Sequence, residues 1–340
     1  MCVISFIIPF FNGGKYISEC LDTLYNQNIS ESDFEVIVVD DCSTDGQALE
    51  TLRAVMEKHS NIRLLRNEMN LRVGSSRNHG FSEARGEYIW FIDQDDKIQY
   101  GCLKGLLETM RKNDLDLITF DYLDFDDTGR AQPHRLVTHD TDVMKGLDYA
   151  YTICNTQIWE NQWDTNVWHQ IYKRAFLLEN NISFTEVSYY DDMIVNLKSL
   201  IYAKRMQSVS QPYYHYRFNV QSVINTEVGV GGRTLFDGTV NASVVLLDFA
   251  KEIEEVDAHF SGLFMEAVPY RANSFARSLL RISHEQQGKF YEQAELHPDV
   301  VDKVKPYLSR FNKALIEHPW IAHAMRPLGR CYRKLAVVLS

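Results

Sequence analysis

Five short runs of apolar, β-favouring residues punctuate the first 120 residues: Val3–Ile8, Glu35–Val39, Ile62–Leu65, Tyr88–Ile92 and Leu117–Phe120. Each is apolar nearly throughout, as a strand covered on both faces must be. Between them, Lys15–Asn26, Gln47–Lys58, Ser75–Ala84 and Leu103–Lys112 place apolar residues at helical spacing, with Ile17, Cys20, Leu21 and Leu24 forming one such stripe. This alternation predicts an α/β fold: a mainly parallel sheet with helices on both faces, joined by right-handed crossovers. Ligands in such folds bind beyond the carboxyl ends of the strands, so the residues after each run are the ones to inspect.

Three of those ends carry chemistry. They read Pro9-Phe10-Phe11-Asn12-Gly13-Gly14, Asp40-Asp41-Cys42-Ser43-Thr44-Asp45-Gly46 and Asp93-Gln94-Asp95-Asp96. Asp93 and Asp95 stand two apart, and on a continued strand they would share a face. Two such carboxylates suit Mg²⁺ or Mn²⁺, with substrate phosphates completing the oxygen shell; the alternative is that Asp95-Asp96 caps the next helix. Asp40-Asp41 suits hydrogen bonds from a base N–H and a ribose hydroxyl, while Ser43 or Asp45 suits an ordinary N-cap. Arg77 either opposes a diphosphate or is a surface helix charge. No GxGxxG, complete P-loop, GxSxG or HExxH is present.

Beyond Asp124 the pattern weakens. Trp159, Trp163 and Trp168 cluster in sequence and suit either an acceptor platform or a core. Helices are expected near Arg174–Glu179 and Asp192–Lys204, then a Tyr-rich run over Pro212–Phe218, and a helical region after Thr234 in which Val240–Glu254 and Glu266–Ser283 are clearest.

Composition restricts the partners. A formal charge of −11 argues against a general nucleic-acid binder. The six cysteines are scattered without a CxxC pair, Met1–Phe11 lacks the features of a signal peptide, and no stretch is apolar enough to span a bilayer. The expectation is a reduced cytoplasmic protein. The charge is uneven, however: residues 303–340 hold eight Lys/Arg and one acid, Glu317. The segment 320–340 therefore reads as a basic amphipathic tail, either for the inner face of an anionic membrane or for docking on the acidic body.

Taken in order, Phe6-Ile7-Ile8-Pro9-Phe10-Phe11-Asn12, Val36-Ile37-Val38-Val39-Asp40-Asp41-Cys42-Ser43-Thr44-Asp45-Gly46, Gly74-Ser75-Ser76-Arg77-Asn78-His79-Gly80 and Tyr88-Ile89-Trp90-Phe91-Ile92-Asp93-Gln94-Asp95-Asp96 resemble the successive signatures of the family 2 glycosyltransferases of the GT-A fold, of the bacterial surface-polysaccharide type. The likeness is dense over residues 3–125 and returns at Trp168–Arg174 and Tyr190–Met193. It implies residues 1–125 as the nucleotide-sugar-binding half, 126–230 as the acceptor half and 231–340 as a helical C-terminal region.

The resemblance also implies roles. Pro9 and Phe11 would border the base, Asp40 would accept from it, and Asp41 and Arg77 would lie close to the nucleotide. Asp93 would face ribose and sugar, and Asp95 would hold Mn²⁺ or Mg²⁺. Asp192 would be the general base, and Asp191, standing where relatives have Glu, would meet the acceptor; apart from the resemblance, Trp168 suits the acceptor because aromatic faces stack on sugar rings, the alternative being a place in the core. His215 and Arg217 would close over the diphosphate, with Ser222 downstream. The implied activity is inverting transfer of a hexosyl or N-acetylhexosaminyl group from a UDP-sugar to a hydroxyl of a growing capsule, exopolysaccharide or O-antigen, free or lipid-linked. The rival readings are a sugar-phosphate nucleotidyltransferase, or a nucleotide-sugar-binding protein without transfer.

Overall fold

The computed structural model describes residues 2–136, 139–157, 166–185, 191–218, 236, 240–280 and 283–325. Contacts divide the chain into two compact units, one of residues 1–186 and 191–218, the other of 187–190 and 219–340.

The first unit is built on a nine-stranded sheet. β1 (Ile4–Phe10), β2 (Phe34–Asp40), β3 (Ile62–Arg66) and β4 (Tyr88–Phe91) are all parallel, in the order β3-β2-β1-β4. β2 is buried along its whole length, which explains the apolar run Val36–Val39. The crossovers are α1 (Ile17–Tyr25), α2 (Gly46–Met56) and α3 (Arg72–Glu83). Gly80 of α3 permits close packing on the sheet, since a Cβ there would stand 2.5 Å from Ile7 Cγ2.

The expectation of a mainly parallel sheet describes this half; beyond β4 the sheet is mixed. β5 (Lys97–Ile98), β6 (Leu117–Phe125), β7 (Ala131–His134), β8 (Gln170–Lys173) and β9 (Met206–Arg217) complete it. β8 lies antiparallel between β4 and β6, β9 runs parallel to β6, β5 is antiparallel to β9, and β7 is antiparallel to β6. Two antiparallel steps restore direction, so β1, β2, β4, β6 and β9 all end at the same edge. The Tyr-rich run is the end of β9, and β6 continues past Phe120 because β7 and β9 pair with its extension. The remaining helices are α4 (Cys102–Asn113), α5 (Gly146–Gln157), α6 (Arg174–Glu179) and α7 (Asp191–Tyr202). One core runs beneath the sheet, with Phe6, Phe10, Val36, Trp90 and Phe120 against Leu21, Leu24, Leu52 and Leu103.

The second unit is helical: α8 (Ala242–Glu254), α9 (Ala258–Ser278), α10 (His284–Leu296), α11 (Pro298–Val304) and α12 (Arg310–Glu317). α9 begins well before the expected Glu266, because the Asp257 carboxylate caps it by accepting from Phe260 N at 2.8 Å. Phe236, Val240, Ala272, Phe290 and Leu315 form its core. In the tail, Ala322 is buried in that core and Trp320 is exposed; Arg326, Arg330, Arg333 and Lys334 lie outside the described residues, as do Trp159, Trp163 and Ser222. No described helix is long and apolar enough to cross a membrane.

Candidate active site

The edge where these strands end gathers the acids. β4 stops at Phe91, so Asp93 and Asp95 sit in a turn rather than on a strand, and the two-residue alternation argument does not apply. The turn itself brings them together. Asp96 N donates to Asp93 O at 3.2 Å, and the buried Asp96 carboxylate accepts from the Tyr214 hydroxyl and from Arg217 N, each at 2.7 Å. Asp96 thus clamps the turn to β9 and caps no helix. Tyr214 also accepts from Asp93 N at 3.1 Å. Gln94 binds Phe11 on both sides, accepting from its N–H at 3.0 Å and donating to its carbonyl at 3.2 Å. A Cβ on Gly13 would stand 2.0 Å from Gln94 Oε1, which is why glycine occupies that position.

The first two loops interlock in the same way. Asn12, in the left-handed region at φ 51°, accepts through Oδ1 from Thr44 N and Asp45 N at 3.0 and 2.9 Å. Asp45, not Ser43, caps α2, accepting from Gln47 N and Ala48 N. Asp40 is fully buried; its Oδ1 accepts from Ser43 N at 2.9 Å, while Oδ2 forms an ion pair with Arg66 Nη1 at 3.3 Å and makes no hydrogen bond among the described residues. That unsatisfied oxygen fits an incoming N–H donor. Pro9 is half-buried in β1, and the Phe11 ring is 42% exposed beside the loop.

Asp41 has a different task from the one expected. Its carboxylate accepts from Leu71 N, Arg72 N and Asn67 Nδ2, each at 2.8 Å, and is buried. It holds the start of α3 rather than presenting itself to a nucleotide. Arg72, at φ 72°, is the strained residue that this grip over-determines.

Arg77 is neither a surface charge nor open to a diphosphate. Its side chain is 2% exposed, with Nη2 on Asp93 Oδ1 at 2.6 Å and Nη1 on Asp192 Oδ1. The guanidinium lies 5.2 Å from the Phe184 ring centroid, and its Nε has no hydrogen-bond partner among the described residues. Asp191 and Asp192 open α7, and a Cβ on Gly74 would come within 2.6 Å of Asp191 Oδ2. Three carboxylates therefore share one cation. Burial pushes the Asp192 carboxyl up to about 7, Arg77 opposing and Asp191 and Asp93 adding to the rise. Asp191 is raised for the same leading reason. The buried Tyr172 hydroxyl, which makes no hydrogen bond among the described residues, has its proton held on by burial and by the Asp192 charge.

Arg217 is buried and engaged: Nε donates to Asp95 O at 2.8 Å, and the guanidinium pairs with Glu19 and Asp127 and lies over Tyr16 and Phe125. His215 pairs with Lys97 across β5 and β9, burial lowers its pKa, and its Nε2 is buried with no hydrogen-bond partner among the described residues. Trp168 is 3% exposed, stacked on Tyr214 at 4.4 Å and on Tyr216 at 5.6 Å. Its ring supports β9 from the core, so it offers no face to an acceptor.

The acid turn fits a hard cation. Burial, then Asp93, raises the Asp95 carboxyl to about 6, and Arg217 only partly opposes the rise. The described residues contain no ready-made cluster of three or more His, Cys, Asp or Glu ligands. Such a cation would therefore take Asp95, with Asp93 beside it, and complete its shell from phosphate oxygens and water. Gln94, Tyr172 and Tyr214 lie inside the runs quoted above, yet no local pattern gives them or Asp96 these tertiary roles.

Comparison with known proteins places this geometry. The family model for glycosyl transferase family 2 matches residues 5–190. The poly(ribitol-phosphate) beta-N-acetylglucosaminyltransferase TarS of Staphylococcus aureus is 30% identical over 227 residues, covering 64% of this chain and 35% of that protein. The putative glycosyltransferase EpsH of Bacillus subtilis is 28% identical over 226 residues, 65% of this chain and 62% of that one. The chain thus matches about a third of the first relative and under two thirds of the second. The crystal structure of S. aureus TarS 1–349 in complex with UDP-GlcNAc superposes with a TM-score of 0.64 at 22% identity, covering 98% of this chain and 92% of that chain, and shows the same fold.

Proposed function

The chain belongs to glycosyl transferase family 2, and we propose that it transfers a hexosyl or N-acetylhexosaminyl group from a UDP-sugar to a hydroxyl of a bacterial surface glycan, inverting the anomeric carbon. One relative supports this reading: S. aureus TarS is a poly(ribitol-phosphate) beta-N-acetylglucosaminyltransferase, and its 1–349 fragment is solved in complex with UDP-GlcNAc.

The observation that carries the proposal is the Asp93–Arg77–Asp192 bridge. One buried guanidinium spans from the donor-side acid turn to the first turn of α7, so a sugar held at Asp93 lies within reach of the carboxylate at 192. Direct displacement needs one base on the acceptor hydroxyl and no second carboxylate as nucleophile. Asp192 takes that proton. With a carboxyl poised near 7, it is a far stronger base than an exposed aspartate and is about half ionised at neutral pH. Arg77 fixes its orientation, and Tyr172 borders it.

On the donor side, Phe11 and Pro9 flank the base, and Asp40 Oδ2 accepts its N–H. Arg217 holds the acid turn through the Asp95 carbonyl. Asp95, with Asp93 beside it, would hold a divalent cation, which would supply positive charge to the departing diphosphate. Residues 1–125 form the donor half and 126–230 the acceptor half, and the basic amphipathic segment 320–340 holds the enzyme at an anionic membrane surface where lipid-linked acceptors lie.

The test is the anomeric configuration of the product. With UDP-GlcNAc and Mn²⁺, the β-configured product read by NMR supports displacement by a single base; an α-configured product rules it out.

A further inference from the structure

The same edge of the sheet carries a second set of polar groups, on the hairpin of β6 and β7 and at the end of β9. Asp124 stands opposite Tyr216 across the β6/β9 ladder, and Tyr122 stands opposite both Tyr214 and His134. Residues two apart on a strand share a face, so Tyr122 and Asp124 project together, as do Tyr214 and Tyr216. The His134 ring stacks on Tyr122 at 4.7 Å with 5° between planes, and its Nε2 lies 2.7 Å from Asp124 Oδ2. Trp168 backs the group, 5.6 Å from the Tyr216 ring and 4.8 Å from Tyr122.

Three polar atoms are left over. His134 Nδ1, Asp124 Oδ1 and the Tyr216 hydroxyl make no hydrogen bond among the described residues. They are accessible: the His134 and Asp124 side chains are 36% and 32% exposed, and Tyr216 is half-buried. Burial first, then the charges of Asp96, Asp93, Asp95 and Asp124, keep the Tyr216 phenol protonated, so it is a donor standing between the acid turn and the hairpin.

This set joins a donor, a carboxylate acceptor and an imidazole nitrogen able to do either, beside aromatic rings. A sugar or polyol hydroxyl both donates and accepts, and matches it; a phosphate would meet Asp124 and the acid turn as like charges. We infer that Tyr216, Asp124 and His134 form an acceptor subsite that binds the hydroxyls of a sugar or polyol unit, which rests on the glycosyl-transfer reading and adds the recognition element that Trp168 does not supply.

The test uses the full chain saturated with UDP, as wild type, His134→Ala and Tyr216→Phe. Each is titrated with cellotriose, chitotriose and a ribitol-phosphate oligomer, read by ligand-observed NMR. Wild type should bind at least one of them, and each variant should weaken that binding about five- to tenfold, the loss expected for a hydrogen bond. Unchanged UDP affinity shows that the variants are folded. Equal binding by the variants, or no binding of any of the three to wild type, overturns the subsite. The two readings fail separately: a chain that binds glycan in this way but releases no UDP from UDP-GlcNAc contradicts transfer, whereas one that transfers with a variant-independent acceptor KM contradicts the subsite alone.

Discussion

Arg77 Nη2 and Asp93 Oδ1 stand 2.6 Å apart with the arginine side chain 98% removed from solvent, and the other end of the same guanidinium holds Asp192. A buried cation between two carboxylates fixes their spacing, because an arginine fork binds each through a directed N–H. The acid of the donor loop and the acid of α7 cannot drift apart while Arg77 is present.

Arg77→Lys keeps the charge and loses the fork. It should lower kcat by about 100-fold, the scale of a misplacement near 1 Å, with a much smaller change in donor KM. Steady-state kinetics with UDP-GlcNAc separate the two constants; a fall confined to KM would place Arg77 on the donor instead. Arg77→Ala, which strands partly buried carboxylates, should destabilise the fold by about 3 kcal/mol in urea unfolding.

The raised Asp192 carboxyl sets a pH dependence. A base works only when ionised, so kcat at saturating donor should rise about tenfold per pH unit below 7 and level off above it. Stability runs the other way. The folded carboxyl holds its proton to higher pH than the unfolded one, so stability from this site is full at low pH and declines as pH rises from about 4 through 7. A kcat profile flat from pH 5 to 8 would remove Asp192 from the proton transfer.

Asp95→Asn should abolish the dependence of UDP binding on Mn²⁺. Calorimetry on the wild type should show UDP binding tightened by Mn²⁺ about tenfold or more, and no difference with and without Mn²⁺ in the variant. Equal tightening in both would move the cation away from the acid turn.

Tyr214→Phe probes the clamp. It leaves Asp96 Oδ2 without its donor and Asp93 N without its acceptor, both at the buried base of the turn. The expected cost is about 1–3 kcal/mol by urea unfolding, together with weaker UDP binding. A variant of wild-type stability would show that the turn stands without β9.

Much of the first half was legible because strand, loop and helix lie adjacent in sequence, so Asp40, Phe11 and the 93–96 acids announce themselves at strand ends. What was hidden is tertiary. Arg77 meets Asp192 across 115 residues, and no local pattern distinguishes that buried bridge from a surface charge. Asp41 was read as a ligand because its three backbone and amide donors come from the segment after β3. Trp168 has the composition of a sugar platform and the burial of a core residue. β5 is two residues long and β7 contains Pro133, so neither shows periodicity; pairing with β9 and β6 holds them in place.

The central claim is that Asp192 takes the acceptor proton, and Asp192→Asn tests it most directly. The amide keeps the shape and a hydrogen-bonding oxygen for Arg77 but cannot accept the proton. With UDP-GlcNAc, Mn²⁺ and a competent acceptor, transfer should fall by about 10²–10⁴-fold while UDP binds with wild-type affinity. Transfer at the wild-type rate in Asp192→Asn would contradict the account.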